Sequence, residues 1–128
     1  MDTRSASEAY KNASIENAPP IKLVRMLYAG AIRFIQQAAE EDPKDPASEF
    51  LSLCNRSDEI VTELRLALDP GPNPEVAADL ERLYLFVERL LAEAMLNRET
   101  ASLDEAVKVL ETLLGAWNEV EIETSRVA

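Results

Sequence analysis

The sequence predicts an all-α chain folded as an antiparallel, up-down-up-down four-helix bundle with a short N-terminal arm. Three observations carry that expectation. Apolar residues recur at three- and four-residue spacing in four separate blocks, which places them on one side of a helix each. The blocks are separated by helix-breaking segments, EDPKDP at 41–46 and DPGPNP at 69–74, whose prolines cannot continue a helix. With 47% hydrophobic residues and three glycines in 128 positions, the chain has the material for one compact core. No strand-like alternation, internal repeat or low-complexity tract competes with this reading.

Residues 1–17 are polar and aperiodic, and read as a flexible arm with Tyr10 and Ile15 as its apolar anchors. The bundle is expected over 18–122, with a frayed tail at 123–128. Pro19 and Pro20 open the first helix, where a missing N–H costs nothing. Its stripe is Ile21, Val24, Leu27, Tyr28, Ala31, Ile32, Ile35 and Ala38, with Leu23, Met26 and Phe34 on a flank. The pattern runs to about Glu41.

Asp45 is expected as N-cap of the second helix and Pro46 as its first residue. Its stripe is Phe50, Leu53, Cys54, Ser57, Ile60, Val61, Leu64, Ala67 and Leu68. Asn73 and Pro74 repeat the device for the third helix, whose stripe runs from Val76 and Ala77 through Tyr84 to Ala94 and Met95. Ser102 and Glu105 form a capping-box pattern at the start of the fourth. Its stripe is Leu103, Ala106, Leu110, Leu113, Leu114, Trp117 and Val120. Short connections make consecutive helices antiparallel.

Composition excludes most chemistry. There is no histidine, which removes histidine phosphotransfer, Glu-x-x-His di-iron sites and most acid–base arrangements. Cys54 falls on a core stripe and reads as a small buried hydrophobe. Asp58 and Glu59 are adjacent and point to different sides of a helix, and no glycine-rich phosphate loop occurs. No catalytic residue, metal or cofactor is therefore assigned. Thirteen Lys/Arg against 24 Asp/Glu give a net charge of −11, unsuited to nucleic acid or anionic lipid. The excess is uneven: residues 1–39 carry five basic and three acidic residues. No apolar run approaches the roughly 18 residues of a membrane span, and no secretory h-region is evident. A cytoplasmic protein is expected.

More informative is what a single core leaves unused. Leu51 and Leu66 lie beside the second stripe. Leu85, Ala92 and Leu96 form a second row on the third helix, interrupted by Glu88, while Phe86 lies on the opposite flank. Val109 and Ala116 flank the fourth stripe. Such rows make grooves for amphipathic segments of a partner, so Leu51, Leu66, Leu85, Phe86, Leu96, Val109 and Ala116 are the candidate binding residues.

The residues that carry a family resemblance are Tyr10, PPIKLVRMLYAGAIRFIQQA, DEIVTELRLALD, LERLYLFVERLLAEA and the late LLGAWNEV. In this order and over nearly the whole chain, they resemble the flagellar export chaperone (FliS) family that protects flagellin. The sequence departs from the family pattern at Ala29, where an acidic residue is usual, and at Pro20-Ile21. The resemblance implies a helical bundle around which the C-terminal segment of flagellin wraps, kept monomeric in the cytosol and delivered to the flagellar export gate. It also implies contacts with other flagellar factors and an N-terminal arm that covers part of the bundle when the client is absent. A self-associating helical adaptor, with the spare rows as its homodimer interface, is the alternative that the residues leave open.

Overall fold

The computed structural model describes the backbone of residues 20–71 and 73–127 and the side chains of 21–71 and 73–119. Tyr10 and Ile15, the expected arm anchors, lie outside the described residues. Four helices follow in order: α1 (Pro20–Ala39), α2 (Phe50–Leu66), α3 (Pro74–Asn97) and α4 (Ala101–Val127). No strand occurs among the described residues.

The helices form a square in which α1 and α3 each pack against α2 and α4. Cross-helix contacts show the direction of each neighbour. Gly30 and Phe34 of α1 meet Ile60 and Arg56 of α2, so residue numbers rise on one helix as they fall on the other. Leu90 and Leu83 of α3 stand in the same way against Ser102 and Val109 of α4. The expected up-down-up-down bundle is what forms.

Each predicted stripe turns inward apart from Ala67, which follows the end of α2 and is exposed; the side chain of Val120 lies outside the described residues. Val24, Tyr28, Ala31, Ile32, Ile35 and Ala38 of α1 are buried, as are Phe50, Leu53, Cys54, Ser57, Val61 and Leu64 of α2. Tyr84 and Val87 of α3 and Leu110 and Trp117 of α4 complete the middle of the core. Ser57 enters this apolar space because its hydroxyl donates to the Ala31 carbonyl of α1 at 3.1 Å, so the buried polar group is satisfied. Beside it, a Cβ on Gly30 would lie 3.5 Å from Ile60 Cδ1. That is an ordinary contact, so the approach of α2 to α1 here does not require a glycine.

Tyr28 and Tyr84 meet across the diagonal between α1 and α3, with their hydroxyls 2.5 Å apart. The rings are tilted by 53° with centroids 6.2 Å apart. Trp117 of α4 hydrogen-bonds the Tyr28 hydroxyl as well, and an indole N–H can only donate. Burial, first, and the neighbouring Tyr84 hold the Tyr28 phenol neutral well above its ordinary range. One polar knot thus joins three helices inside the core.

Two helix starts differ from the sequence expectation. Pro46 does not begin α2, which starts at Phe50 with Glu49 as N-cap. The carboxylates of Asp42 and Asp45 instead accept from the amides of Lys44 and Ala47 at 3.0 and 2.9 Å. Ser48 Oγ donates to the Asp42 carbonyl at 2.7 Å. Such local bonds compete with the helix and hold 42–48 as successive turns. Nor does Ser102 cap α4: its hydroxyl donates across to the Leu90 carbonyl of α3 at 2.8 Å, and α4 begins one residue earlier. Asn73 and Pro74 open α3 as expected.

α3 ends with Arg98 in the left-handed region at φ 53°, ψ 53°, a conformation that costs a side-chain-bearing residue energy and suits glycine. Arg98→Gly should therefore raise stability by about 0.5–1 kcal/mol in urea melts. In the core, Tyr28→Phe takes the acceptor from Trp117 and the hydroxyl partner from Tyr84. It should cost about 1–3 kcal/mol, and adding Tyr84→Phe should cost less than the sum of the two single changes.

Candidate interaction surface

The predicted binding residues fall on two separate seams of the bundle. On the first, between α3 and α4, Leu83, Lys108, Val109, Thr112 and Leu113 line an open groove of about 280 Å³. Val109, Leu113 and Ala116 follow one another at helical spacing along this flank of α4. Val109 and Ala116 are half-buried and remain accessible. Phe86 lies one turn from Leu83 on α3, half-buried, with the Arg89 guanidinium 5.2 Å from its ring centroid. Leu83 and Leu113 were assigned by periodicity to the core alone, and they also form the walls of this groove. Lys108 and Thr112 supply its polar rim, which no apolar pattern could have indicated.

The second seam lies between α2 and α3. Leu85, Glu88, Ala92 and Leu96 share a face of α3, and the bonds made by Glu88 fix that face toward α2. Thr62 Oγ1 donates to Glu88 Oε1 at 2.6 Å. Arg65 Nε donates to Oε2 at 2.7 Å and Nη2 to Oε1 at 3.3 Å. Leu85 and Leu96 are 45% and 83% exposed, and Leu66, next to Arg65 on α2, is 71% exposed. Leu51, near the start of α2, is half-buried against the core. The residue that interrupts the leucine row in the sequence is therefore the one that ties the two helices together.

Electrostatics on this seam are set by that tie. Burial tends to raise the Glu88 carboxyl, but the hydrogen bonds from Arg65 and Thr62 outweigh it and hold Glu88 below its ordinary value. Asp58 lies nearby on α2. Burial, and then repulsion from Glu88, raise its carboxyl above the usual range. Cys54, by contrast, is buried and its thiol is pushed up to about 11, which leaves it un-ionised and fits its place in the core. Among the described residues no cluster of His, Cys, Asp or Glu could hold a metal ion. No described helix is long and apolar enough to cross a membrane.

A further exposed apolar residue, Met26 at 60%, lies on the outer side of α1. At the α1–α2 contact, Arg33 and Arg56 each stand 5.7 Å from the centroid of the half-buried Phe34 ring.

The Asp58 shift has a definite sign. A carboxyl raised on folding favours the folded state fully only below its unfolded pKa, and that contribution is lost as the pH rises through the folded pKa. Asp58→Asn should therefore raise the melting temperature at pH 7. That gain should shrink as the pH falls through the carboxylate range, as followed by thermal melts at pH 7 and pH 4.

Comparison with known proteins adds the family. The family model described as "Flagellar protein FliS" matches residues 3–124. The flagellar secretion chaperone FliS of Campylobacter jejuni is 32% identical over 120 residues, covering 94% of each chain. The flagellar secretion chaperone FliSB of Pseudomonas aeruginosa is 30% identical, covering 92% of this chain and 97% of its own. That of Vibrio cholerae is 29% identical, over 94% and 91%. A solved bacterial flagellar chaperone superposes with a TM-score of 0.76 over 94% of this chain and 98% of its own. At 22% identity, that match speaks for the fold. With a family model spanning nearly all of its length and relatives at 30% identity or more along nine-tenths of it, the chain belongs to the FliS family.

Proposed function

We propose that this protein is a cytosolic export chaperone that holds the C-terminal segment of flagellin against the α2–α3 and α3–α4 seams. Bound there, the segment cannot polymerise prematurely, and the complex is delivered to the flagellar type III export gate. The observation that carries this reading is the apolar surface left outside a complete core. Leu66, Leu85 and Leu96 stay exposed while every stripe beneath them is filled. The names of the relatives, flagellar secretion chaperones, support the export role.

The mechanism needs no chemistry. Burying one exposed leucine contributes roughly 1.5–3 kcal/mol, so several together can order a segment that one alone could not hold. Much of that gain is lost in ordering the client, which leaves a complex tight enough to protect and weak enough to release. Both seams involve α3, so a segment wrapping this helix can use the two surfaces at once.

The test is calorimetry of the full chain against a flagellin C-terminal peptide of about forty residues, the scale of surface that coupled folding buries. Binding is expected, and no binding at high micromolar peptide overturns the proposal. Leu85→Asp and Leu96→Asp should each weaken it about tenfold or more while helicity and melting stay nearly unchanged. Val109→Asp should do the same from the other seam. A variant that unfolds instead identifies its residue as core. Reversible self-association of the free chain in sedimentation, combined with no peptide binding, would favour the homodimeric adaptor.

A further inference from the structure

Among the described residues, Arg65–Glu88 is the one ion pair that joins two helices. The other two, Arg82–Asp79 and Arg89–Glu93, lie within α3. It sits inside the exposed leucine row, one turn from Leu85 and beside Leu66, and its side chains are only 25% and 16% exposed. Glu88 uses both oxygens on Arg65 and accepts from Thr62 as well. The guanidinium is therefore held in one orientation. Of its five N–H groups, Nε and one on Nη2 point at Glu88. The remaining three face away from that carboxylate. No buried side-chain nitrogen or oxygen among the described residues lacks a hydrogen-bond partner, so water can serve these N–H groups in the free protein.

A segment that covers Leu66, Leu85 and Leu96 removes that water. An arginine left with unmet N–H groups then costs more than one leucine contact returns. The covering segment must supply an acceptor at this point. Asp58, Glu81 and Glu88 already stand within electrostatic reach of Arg65, so a fourth carboxylate would add repulsion and a neutral acceptor fits better. Leu85 and Leu96 are eleven residues apart, about 16 Å along a helix.

Resting on the client reading above, we infer that Arg65, oriented by Glu88 and Thr62, sets the register of the bound segment. It selects a segment with a neutral hydrogen-bond acceptor (an amide or hydroxyl side chain) between two apolar anchors about 16 Å apart. The leucines supply affinity, and the pinned guanidinium rejects segments that are apolar throughout. This makes Arg65 a specificity determinant; Glu88 and Thr62 are positioning residues for it.

The experiment is a leucine scan of the Asn, Gln, Ser and Thr positions of the flagellin C-terminal peptide, measured by calorimetry against two full-length proteins. One is the natural chain. The other carries Arg65→Met and Glu88→Met together, which removes both charges without stranding either. One scan position is expected to weaken binding to the natural chain about tenfold or more and to leave binding to the double variant unchanged or tighter. A purely structural pair would alter melting but could not single out one peptide position. Should the double variant fail to fold, Arg65→Lys replaces it, since lysine keeps the charge and loses the fork; the same position should then lose most of its effect. A flat scan, or the same profile against both proteins, overturns the register role while leaving the client reading intact. No peptide binding by the natural chain overturns both.

Discussion

The bundle depends on two phenols that must satisfy each other. Tyr28 and Tyr84 come from helices on opposite corners of the square, and both rings are fully buried. A buried hydroxyl without a partner costs on the order of 1–3 kcal/mol. The 2.5 Å contact between the two oxygens removes that cost only at one setting of α1 against α3. Trp117 extends the requirement to α4 through the same oxygen. Leucines and valines tolerate a shift of register far better than this knot does. The apolar stripes therefore supply most of the driving force for folding, and the hydroxyl pair fixes which of several similar packings is native.

A core completed in this way leaves the remaining apolar residues with no intramolecular task. Leu66 and Leu96 project from helices whose inner faces are full, and nothing in the packing of the described chain calls for leucine at either place. Exposed leucines invite self-association, and the charge works against it. α1 carries three basic residues and no acidic one, while residues 40–128 hold 21 of the 24 acidic residues. The leucine-bearing helices are thus set in an acidic body whose copies repel one another. An uncharged or basic segment meets no such barrier. Solubility and availability for a partner have the same electrostatic origin.

Most of the fold was legible in the sequence because helical periodicity reports burial directly. Tyr28, Ser57, Tyr84 and Trp117 were all placed on inward stripes by spacing alone. What escaped were features decided by short polar side chains with several possible partners. Asp45 followed by proline is a sound cap signal, yet here Asp42, Asp45 and Ser48 close local turns first and delay α2 to Phe50. Ser102 fits a capping box, but a carbonyl on α3 lies within its reach. At the candidate site, spacing identified the spare rows. It could not divide them, because whether Leu85 and Phe86 face one seam or two depends on which neighbour each flank meets. Glu88 was visible only as an interruption. Its role depends on Thr62 and Arg65, more than twenty residues away, and pairwise spacing carries no information on that contact.

The separation between core and surface also bears on how such a protein can evolve. The residues that fix the helices, Tyr28, Tyr84, Trp117 and Ser57, lie in the interior, away from both seams. The exposed leucines can change with a client's sequence at little risk to folding. Arg65 and Glu88 are the exception, because they tie α2 to α3 and also stand in the row that a client would cover. Losing either one alone strands a partly buried charge, so the pair must change together or not at all. Any constraint it places on the client is therefore more durable than the one imposed by the leucines around it. On this argument, clients of related proteins should differ more in their apolar anchors than in the polar residue set between them.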